Sequence, residues 1–207
     1  MKKYIPYITF LLGILIFTFG VSLTIKADIG IGSWDAVSVG LNSMFGISIG
    51  FWLIVASLVA LIIAAILKKE FIKISSFITA ALVGICVDFW VVLTKNINVD
   101  TLLKQYIVFF IGIIIVGFGV AVYLLPKLPE NPIDHLMVTI KEKYSLKVMN
   151  AKLLVDSSCI IIALIFKGPI GIGTILATVI LGPAVNFFQD RIIKYYKKLI
   201  CEEYNEK

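Results

Sequence analysis

Three polar side chains fall within long apolar segments, where they could bind a cation or carry protons. Asp88, Asp156 and Asn186 each stand among aliphatic and aromatic residues, and an ionisable group in hydrocarbon is costly unless it faces protein or water. Asp156 follows Lys152 by one helical turn, so an intrahelical ion pair is the structural alternative to coupling a proton or cation. For Asp88 and Asn186 the alternative is an interhelical hydrogen bond, or, for Asp88, a side chain that reaches the outer interface.

Two further aspartates, Asp35 and Asp134, stand in more polar stretches between the apolar segments. Each is expected in the first turn of a short helix, where a carboxylate complements the helix dipole, so a purely structural explanation suffices for both. The alternative is that they face a central cavity from its two ends, with Trp34 beside the first, and act as gates or cation sites. Negative charge at these positions disfavours an anionic ligand and favours a cationic, amine-bearing or neutral polar solute.

The sequence contains no arrangement typical of an enzyme. It has no nucleophile paired with a base, no paired catalytic carboxylates and no cofactor-binding motif, so we expect neither catalysis nor a cofactor. The single histidine, His135, and the three cysteines, Cys86, Cys159 and Cys201, show no metal-ligand spacing, and no metal site is expected. The net charge of +6 requires no nucleic-acid partner.

The composition indicates a membrane protein whose main partner is the lipid bilayer. Of the 207 residues, 60% are hydrophobic and 15% are charged, and the mean hydropathy is +1.02. Apolar segments of about 20 residues, enough to cross a bilayer as helices, occur six times. They cover residues 5–25, 48–67, 74–94, 105–125, 149–166 and 170–190. Because the runs are continuous rather than alternating, we expect an all-α protein.

The chain carries an internal repeat. Residues 7–21 and 106–120 are identical at nine of fifteen positions, at an offset of 99. With one residue dropped, 74–90 aligns with 172–188, which pairs Gly84 with Gly182 and Asp88 with Asn186. Each half holds three spans, an odd number, so the two halves are expected to be inverted relative to each other, as in many secondary transporters. We expect one domain, with repeats at about 1–98 and 99–190 and a basic tail at 191–207.

Each half is expected to contain one spanning helix, then a short helix, then two more spanning helices. In the first half Ser33 is a suitable N-cap for a helix over 34–45. In the second, Asn131 precedes Pro132, a favourable first helical residue, and one apolar face combines Ile133, Leu136, Met137 and Ile140. Each short helix lies on the membrane surface or re-enters the bilayer. Gly84, Gly182 and Pro183 are expected at packing or hinge positions, and Pro183 is expected to kink the last span.

The distribution of lysine and arginine predicts the orientation. With the N-terminus inside, 14 of these residues fall on the inner face and 4 on the outer face. Positive charge favours the cytoplasmic side, so both termini are expected in the cytoplasm.

Several stretches resemble the YczE/YitT-type family of bacterial integral membrane proteins. They are GIGSWDAVSVGL and GISIG in the first half, and GIGT followed by GP in the second. The resemblance implies a multi-pass protein of the bacterial cytoplasmic membrane with a role in transport. It brings no catalytic or substrate-binding residues. The second half departs from the pattern, with PENPID where the first has GIGSWD.

These features favour transport or export of a small polar or cationic solute. The residues expected along the path are Trp34, Asp35, Asp88, Asp134, Asp156 and Asn186. Two alternatives remain open: a membrane-embedded solute-binding subunit of a larger importer, and a non-transporting accessory protein. A homodimer is compatible with the sequence, which does not mark the face it would use.

Overall fold

The structure, a computed structural model, describes residues 4–201 as helices joined by short loops. In chain order these are α1 (Ile5–Ala27), α2 (Ser33–Phe45), α3 (Ile49–Lys68), α4 (Ile74–Leu93), a 3₁₀ turn (Thr94–Asn96), α5 (Leu102–Leu124), α6 (Pro132–Lys143), α7 (Val148–Ile165) and α8 (Ile172–Cys201). No strand occurs within this described range, which agrees with the expected all-α class.

Six of the helices in residues 4–201 are long and apolar enough to cross a membrane: α1, α3, α4, α5, α7 and α8. Their outward faces carry large apolar side chains, such as Ile66, Ile74 and Val92, each about 70% exposed. Surface of this kind requires lipid rather than water around it. The chain is therefore an integral membrane protein, and the predicted number of spans is confirmed for the described residues.

The short helices α2 and α6 lie at opposite ends of the bundle, which we call the α2 end and the α6 end. Helix α6 begins at Pro132 and follows Asn131, as expected, although the Asn131 side chain makes no capping hydrogen bond. The expectation that Ser33 caps α2 is wrong, because Gly32 occupies the N-cap position and Ser33 is the first helical residue. The Ser33 hydroxyl is engaged by a carboxylate of another helix instead.

Helices α1 and α5 form a closely packed antiparallel pair. Four glycines let the two backbones approach closely: a Cβ on Gly20, for example, would lie 2.6 Å from the Val116 nitrogen. Small residues at helix interfaces are the usual means of close packing in membranes. The close pairs are Gly13 with Tyr123, Gly20 with Val116, Gly112 with Thr24 and Gly119 with Phe17.

The remaining helices pack in matched combinations across the two halves. Helix α4 packs on α1 as α8 packs on α5, and α2 packs on α7 as α6 packs on α3. The largest difference between the halves is that α3 and α4 pack against each other, whereas α7 and α8 make at most marginal contact within residues 4–201.

Helix α8 is longer than the sequence predicted. The last span was expected to end near residue 190 and give way to a basic tail, but the helix continues to Cys201. The Arg191 guanidinium stacks 3.5 Å above the Phe187 ring one turn earlier, and neither glycine nor proline interrupts the helix after Pro183. The kink expected at Pro183 stays a prediction, and residues 202–207 of the tail lie outside the described residues.

Candidate functional site

A cavity of about 200 Å³ lies at the centre of the bundle, and all eight α-helices described between residues 4 and 201 contribute to its wall. The wall is largely apolar, with side chains such as Phe17, Val83 and Leu181, and a smaller number of polar groups reach into it. Pockets that bind small molecules commonly have this composition. The first turns of α2 and α6 both reach this cavity, so Asp35 and Asp134 face the interior of the bundle rather than its outer surface.

Most of the lining residues come in pairs that stand one repeat apart. At an offset of 99 the lining pairs are Phe17 and Val116, Gly32 and Asn131, Trp34 and Ile133, Asp35 and Asp134, Leu53 and Lys152, and Ser57 and Asp156. At an offset of 98 they are Ala80 with Thr178 and Val83 with Leu181. Both halves therefore build the cavity from corresponding positions, and the chemical differences within each pair determine what it can bind.

The strongest polar cluster of the cavity centres on Asp156 of α7. The Lys152 ammonium lies 2.7 Å from Asp156 Oδ2, and the Ser33 hydroxyl donates to Asp156 Oδ1 at 2.8 Å. The intrahelical ion pair, which was the structural alternative for Asp156, is therefore present. The positive charge of Lys152 compensates the negative charge of Asp156, so this cluster adds no net charge to the cavity. The hydrogen bond from Ser33 ties α2 to α7.

Asp134 stands on the α6 side of the cavity. Tyr123 donates a hydrogen bond from its hydroxyl to Asp134 Oδ2 at 3.2 Å. Burial raises the pKa of Asp134 to about 6, and the charges of Glu130 and Asp156 act in the same direction, while the Tyr123 hydrogen bond and Lys152 oppose it. A carboxyl in this state can exchange a proton near neutral pH.

Asp35 stands on the α2 side, half-buried in the cavity wall. Burial raises the pKa of Asp35 to about 7. Among the side-chain hydrogen bonds of residues 4–201, none engages its carboxylate, in contrast to Asp134 and Asp156. Trp34 lies beside it in the same wall. This carboxylate therefore has capacity for a ligand that donates hydrogen bonds or carries positive charge.

The other two predicted path residues do not reach the cavity. Asp88 accepts a hydrogen bond from the Gly50 backbone N–H at 2.7 Å, which is the interhelical bond expected as its structural alternative. Asn186 is exposed on α8. Of the six path candidates, Trp34, Asp35, Asp134 and Asp156 lie together and Asp88 and Asn186 lie apart.

The glycines expected at packing positions behave differently in the two halves. A Cβ on Gly84 would lie 2.6 Å from the Gly50 carbonyl oxygen, whereas a Cβ on Gly182 would meet nothing within 4 Å. Gly84 is thus a close-packing position.

Several polar residues of the wall are not among the path residues expected from the sequence, including Tyr123, Asn131 and Thr178. The repeat offered a usable signal for Asn131, since it aligns with the residue that precedes Ser33. Tyr123 was harder to recognise, because a tyrosine at the end of a span is ordinarily explained by the membrane interface.

Comparisons with known proteins identify the family of this chain. A family of unknown function, DUF6198, matches residues 2–190. The uncharacterized protein YyaS of Bacillus subtilis (strain 168) is 36% identical over 191 residues, covering 92% of this chain and 95% of that protein. The uncharacterized membrane protein YczE of the same organism is 32% identical over 176 residues, covering 84% of this chain and 81% of that protein.

An uncharacterized protein of Haemophilus influenzae is 26% identical over 93% of this chain and 86% of its own length. No solved structure matches this chain. The resemblance to YczE-type bacterial membrane proteins seen in the sequence is confirmed, and the chain belongs to the DUF6198 family.

Proposed function

We propose that the protein is a secondary transporter of a small cationic or amine-bearing solute, which it binds in the central cavity. The observation that carries this proposal is the pairing of the lining residues. A single cavity built from corresponding positions of two halves is the arrangement found in transporters made of inverted repeats, where the site lies at the interface of the repeats.

The contacts of α1 and α5 support inversion of the two halves. Gly13 contacts Tyr123, and the residues at the equivalent positions of the other half, Gly112 and Thr24, are also in contact. The contact of Gly20 with Val116 corresponds to that of Gly119 with Phe17 in the same way. An antiparallel pair whose contacts exchange under the repeat offset is what a pseudo-twofold axis parallel to the membrane plane would produce.

The charge of the cavity favours a cation. Three carboxylates and one lysine face it, and Lys152 is already paired with Asp156. Asp35 and Asp134 therefore supply the uncompensated negative charge when they are ionised. Trp34 adds an aromatic face suited to cation–π contact, and the apolar walls suit a solute with hydrocarbon parts.

The proposal includes the direction of the chain in the membrane and the source of energy. The lysine and arginine distribution supports a cytoplasmic location for the α6 end and both termini. The sequence contains no nucleotide-binding motif, so an ion gradient is the proposed energy source. Protons suit this role because Asp35 and Asp134 have pKa values near neutrality. Transport, rather than catalysis, is the proposed activity.

The test is flux in proteoliposomes across a panel of radiolabelled organic cations, amines and neutral polar metabolites, with and without a pH gradient. The wild type is expected to move at least one positively charged compound faster than empty vesicles, and Asp35→Asn and Asp134→Asn are expected to abolish the dependence on the pH gradient. Asp100→Asn, which removes a carboxylate from the loop before α5, is the matched control. Absence of flux across the whole panel contradicts the proposal, and tight binding without flux points to the importer subunit.

A further inference from the structure

Helices α3 and α4 are joined near the α2 end by a contact of two glycines and one aspartate, which we call the α3–α4 latch. The Gly50 N–H donates to Asp88 Oδ1 at 2.7 Å. A Cβ on Gly50 would lie 2.6 Å from the Asp88 carboxyl group, and a Cβ on Gly84 would lie 2.6 Å from the Gly50 carbonyl oxygen. The two backbones touch because neither glycine has a side chain, and a charge-assisted hydrogen bond holds them.

The hydrogen bond of the latch uses a group that would otherwise be unpaired. Gly50 lies in the first turn of α3, which begins at Ile49, and N–H groups of a first turn have no partner within their own helix. Asp88 supplies that partner from another helix. The latch therefore links the start of α3 to the last turns of α4, which are at the same end of the bundle.

The corresponding positions of the second half are far from such a contact. One repeat on, Met149 replaces Gly50, Gly182 replaces Gly84 and Asn186 replaces Asp88. Met149 is 72% exposed, a Cβ on Gly182 would meet nothing within 4 Å, and Asn186 is exposed. Among the described residues 4–201, α7 and α8 make at most marginal contact. A gap therefore separates these helices at the α6 end, whereas α3 and α4 are in contact at the α2 end.

We propose that the α3–α4 latch is the closed outer gate of the transport cavity, that the gap between α7 and α8 is its open inner gate, and that the two exchange roles in each transport cycle. This proposal rests on the transport function proposed above. In the second state α7 closes on α8 beside Gly182, and the latch separates. The side-chain oxygen of Asn186 then accepts a hydrogen bond from an N–H of the first turn of α7, as Asp88 does for α3.

The residue differences between the two gates account for the state that the structure shows. A carboxylate accepts a stronger hydrogen bond than a carboxamide, so Asp88 favours the closed outer gate over what Asn186 can offer at the inner one. Closing the inner gate also requires the Met149 side chain to move aside, which its flexibility permits. The gate residues thus bias the equilibrium towards the inward-facing state. A ligand or an ion gradient can shift it to the outward-facing state.

The test measures which face of the membrane gives access to the cavity. Thr178 lines the cavity from α8, so Thr178→Cys, in a chain whose native cysteines are replaced, reports access by reaction with a membrane-impermeant maleimide. The reagent is applied to right-side-out spheroplasts and, separately, to inverted membrane vesicles. With Asp88 intact, labelling is expected predominantly in inverted vesicles.

The gate variants should move that labelling between faces. Asp88→Ala removes a hydrogen bond to a charged group, so labelling from the outer face is expected to rise about tenfold relative to the inner face. Asp88→Asn is expected to give a smaller rise. Asn186→Asp, which strengthens the opposite gate, is expected to shift labelling in the same direction as Asp88→Ala. Asp190→Asn changes an exposed acid of the same helix and should leave the ratio unchanged.

Equal labelling from both faces in the parent, or an unchanged ratio in both Asp88→Ala and Asn186→Asp, overturns the gate proposal. Asn186→Asp keeps the test decisive if Asp88→Ala fails to fold, because the Asn186 side chain is exposed in the state described. Labelling requires no substrate, so its outcome is separate from that of flux. Shifted labelling without flux refutes transport and retains the gates, whereas flux with unshifted labelling refutes the gates and retains transport.

Discussion

Ser33 of α2 donates a hydrogen bond of 2.8 Å to Asp156 of α7, and this bond joins the short helix of one half to a spanning helix of the other. The same carboxylate lies 2.7 Å from Lys152. At the equivalent positions of the first half, Leu53 and Ser57 replace Lys152 and Asp156. One repeat therefore carries an ion pair on the cavity wall where the other carries an apolar residue and a hydroxyl.

This difference gives a direct way to separate structure from function. Lys152→Leu leaves Asp156, whose side chain is 15% exposed, with Ser33 as its remaining partner, and should lower the free energy of unfolding by about 1–3 kcal/mol. The range is below that for fully buried pairs because the Lys152 side chain is 42% exposed. The measurement is unfolding in mixed micelles.

The double variant Lys152→Leu/Asp156→Ser copies the first half into the second. We expect it to recover most of the lost stability, because a buried pair replaced by residues of suitable size is often tolerated, while transport is lost. Asp156→Ser alone is the comparison. If the double variant is less stable than both single variants, the ion pair is required for folding, and this prediction is wrong.

The contact of α1 with α5 predicts a matched pair of destabilising substitutions. Gly20→Ala and Gly119→Ala each place a methyl group against the backbone of the opposite helix, and overpacking of this kind costs about 1–3 kcal/mol. Thermal unfolding in detergent measures both. Leu11→Ala, on an exposed part of α1, is the control and should change stability less. Unchanged stability in either glycine variant would show that the helices separate freely at that point.

The sequence predicted the spans well, because they rest on the long apolar runs that lipid imposes, and the inversion of the two halves stays a prediction. The sequence was less informative about side chains that can form a hydrogen bond either within their own helix or with another helix. Serine is a common N-cap residue, but Ser33 donates its hydrogen bond to Asp156 of another helix. Asp88 lies within a span, but it accepts a hydrogen bond from Gly50 and does not line the cavity. Such choices depend on which helices become neighbours, and a single sequence gives little information about that.

The elevated pKa values of two cavity carboxyl groups predict a pH-dependent stability. Burial raises the pKa of Asp35 to about 7 and that of Asp134 to about 6, from an ordinary value of 3.8. At a pH between the ordinary pKa and the raised pKa, the folded protein keeps protons on these carboxyl groups that the unfolded chain releases. The free energy of unfolding should therefore fall as pH rises from about 4 to about 7.

Melting temperature measured across this range checks the prediction. Asp35→Asn should flatten the plot of melting temperature against pH mainly near pH 7, and Asp134→Asn should flatten it mainly near pH 6. The charged and polar groups that act on Asp134 are Glu130, Tyr123 and the pair of Lys152 with Asp156, and all of them are kept in the double asparagine variant, which should lose most of the slope. An identical slope in the wild type and the double variant would contradict proton binding at these sites.

The proposed inversion of the two halves predicts that equivalent positions lie on opposite faces of the membrane. Met44, in the last turn of α2, and Lys143, in the last turn of α6, are both exposed and stand 99 residues apart. In a cysteine-free chain, Met44→Cys should react with an impermeant maleimide in spheroplasts, and Lys143→Cys in inverted vesicles. Reaction of both positions from the same face would contradict inversion.

The most direct test of a single cavity exposed in turn to both sides is counterflow. Proteoliposomes are loaded with an unlabelled solute found by the flux panel, diluted into medium with a trace of the labelled compound, and followed over time. Alternating access predicts a transient accumulation of label above equilibrium in the wild type, and none in the folded Lys152→Leu/Asp156→Ser variant. Uptake that is the same with and without internal solute would contradict alternating access through this cavity.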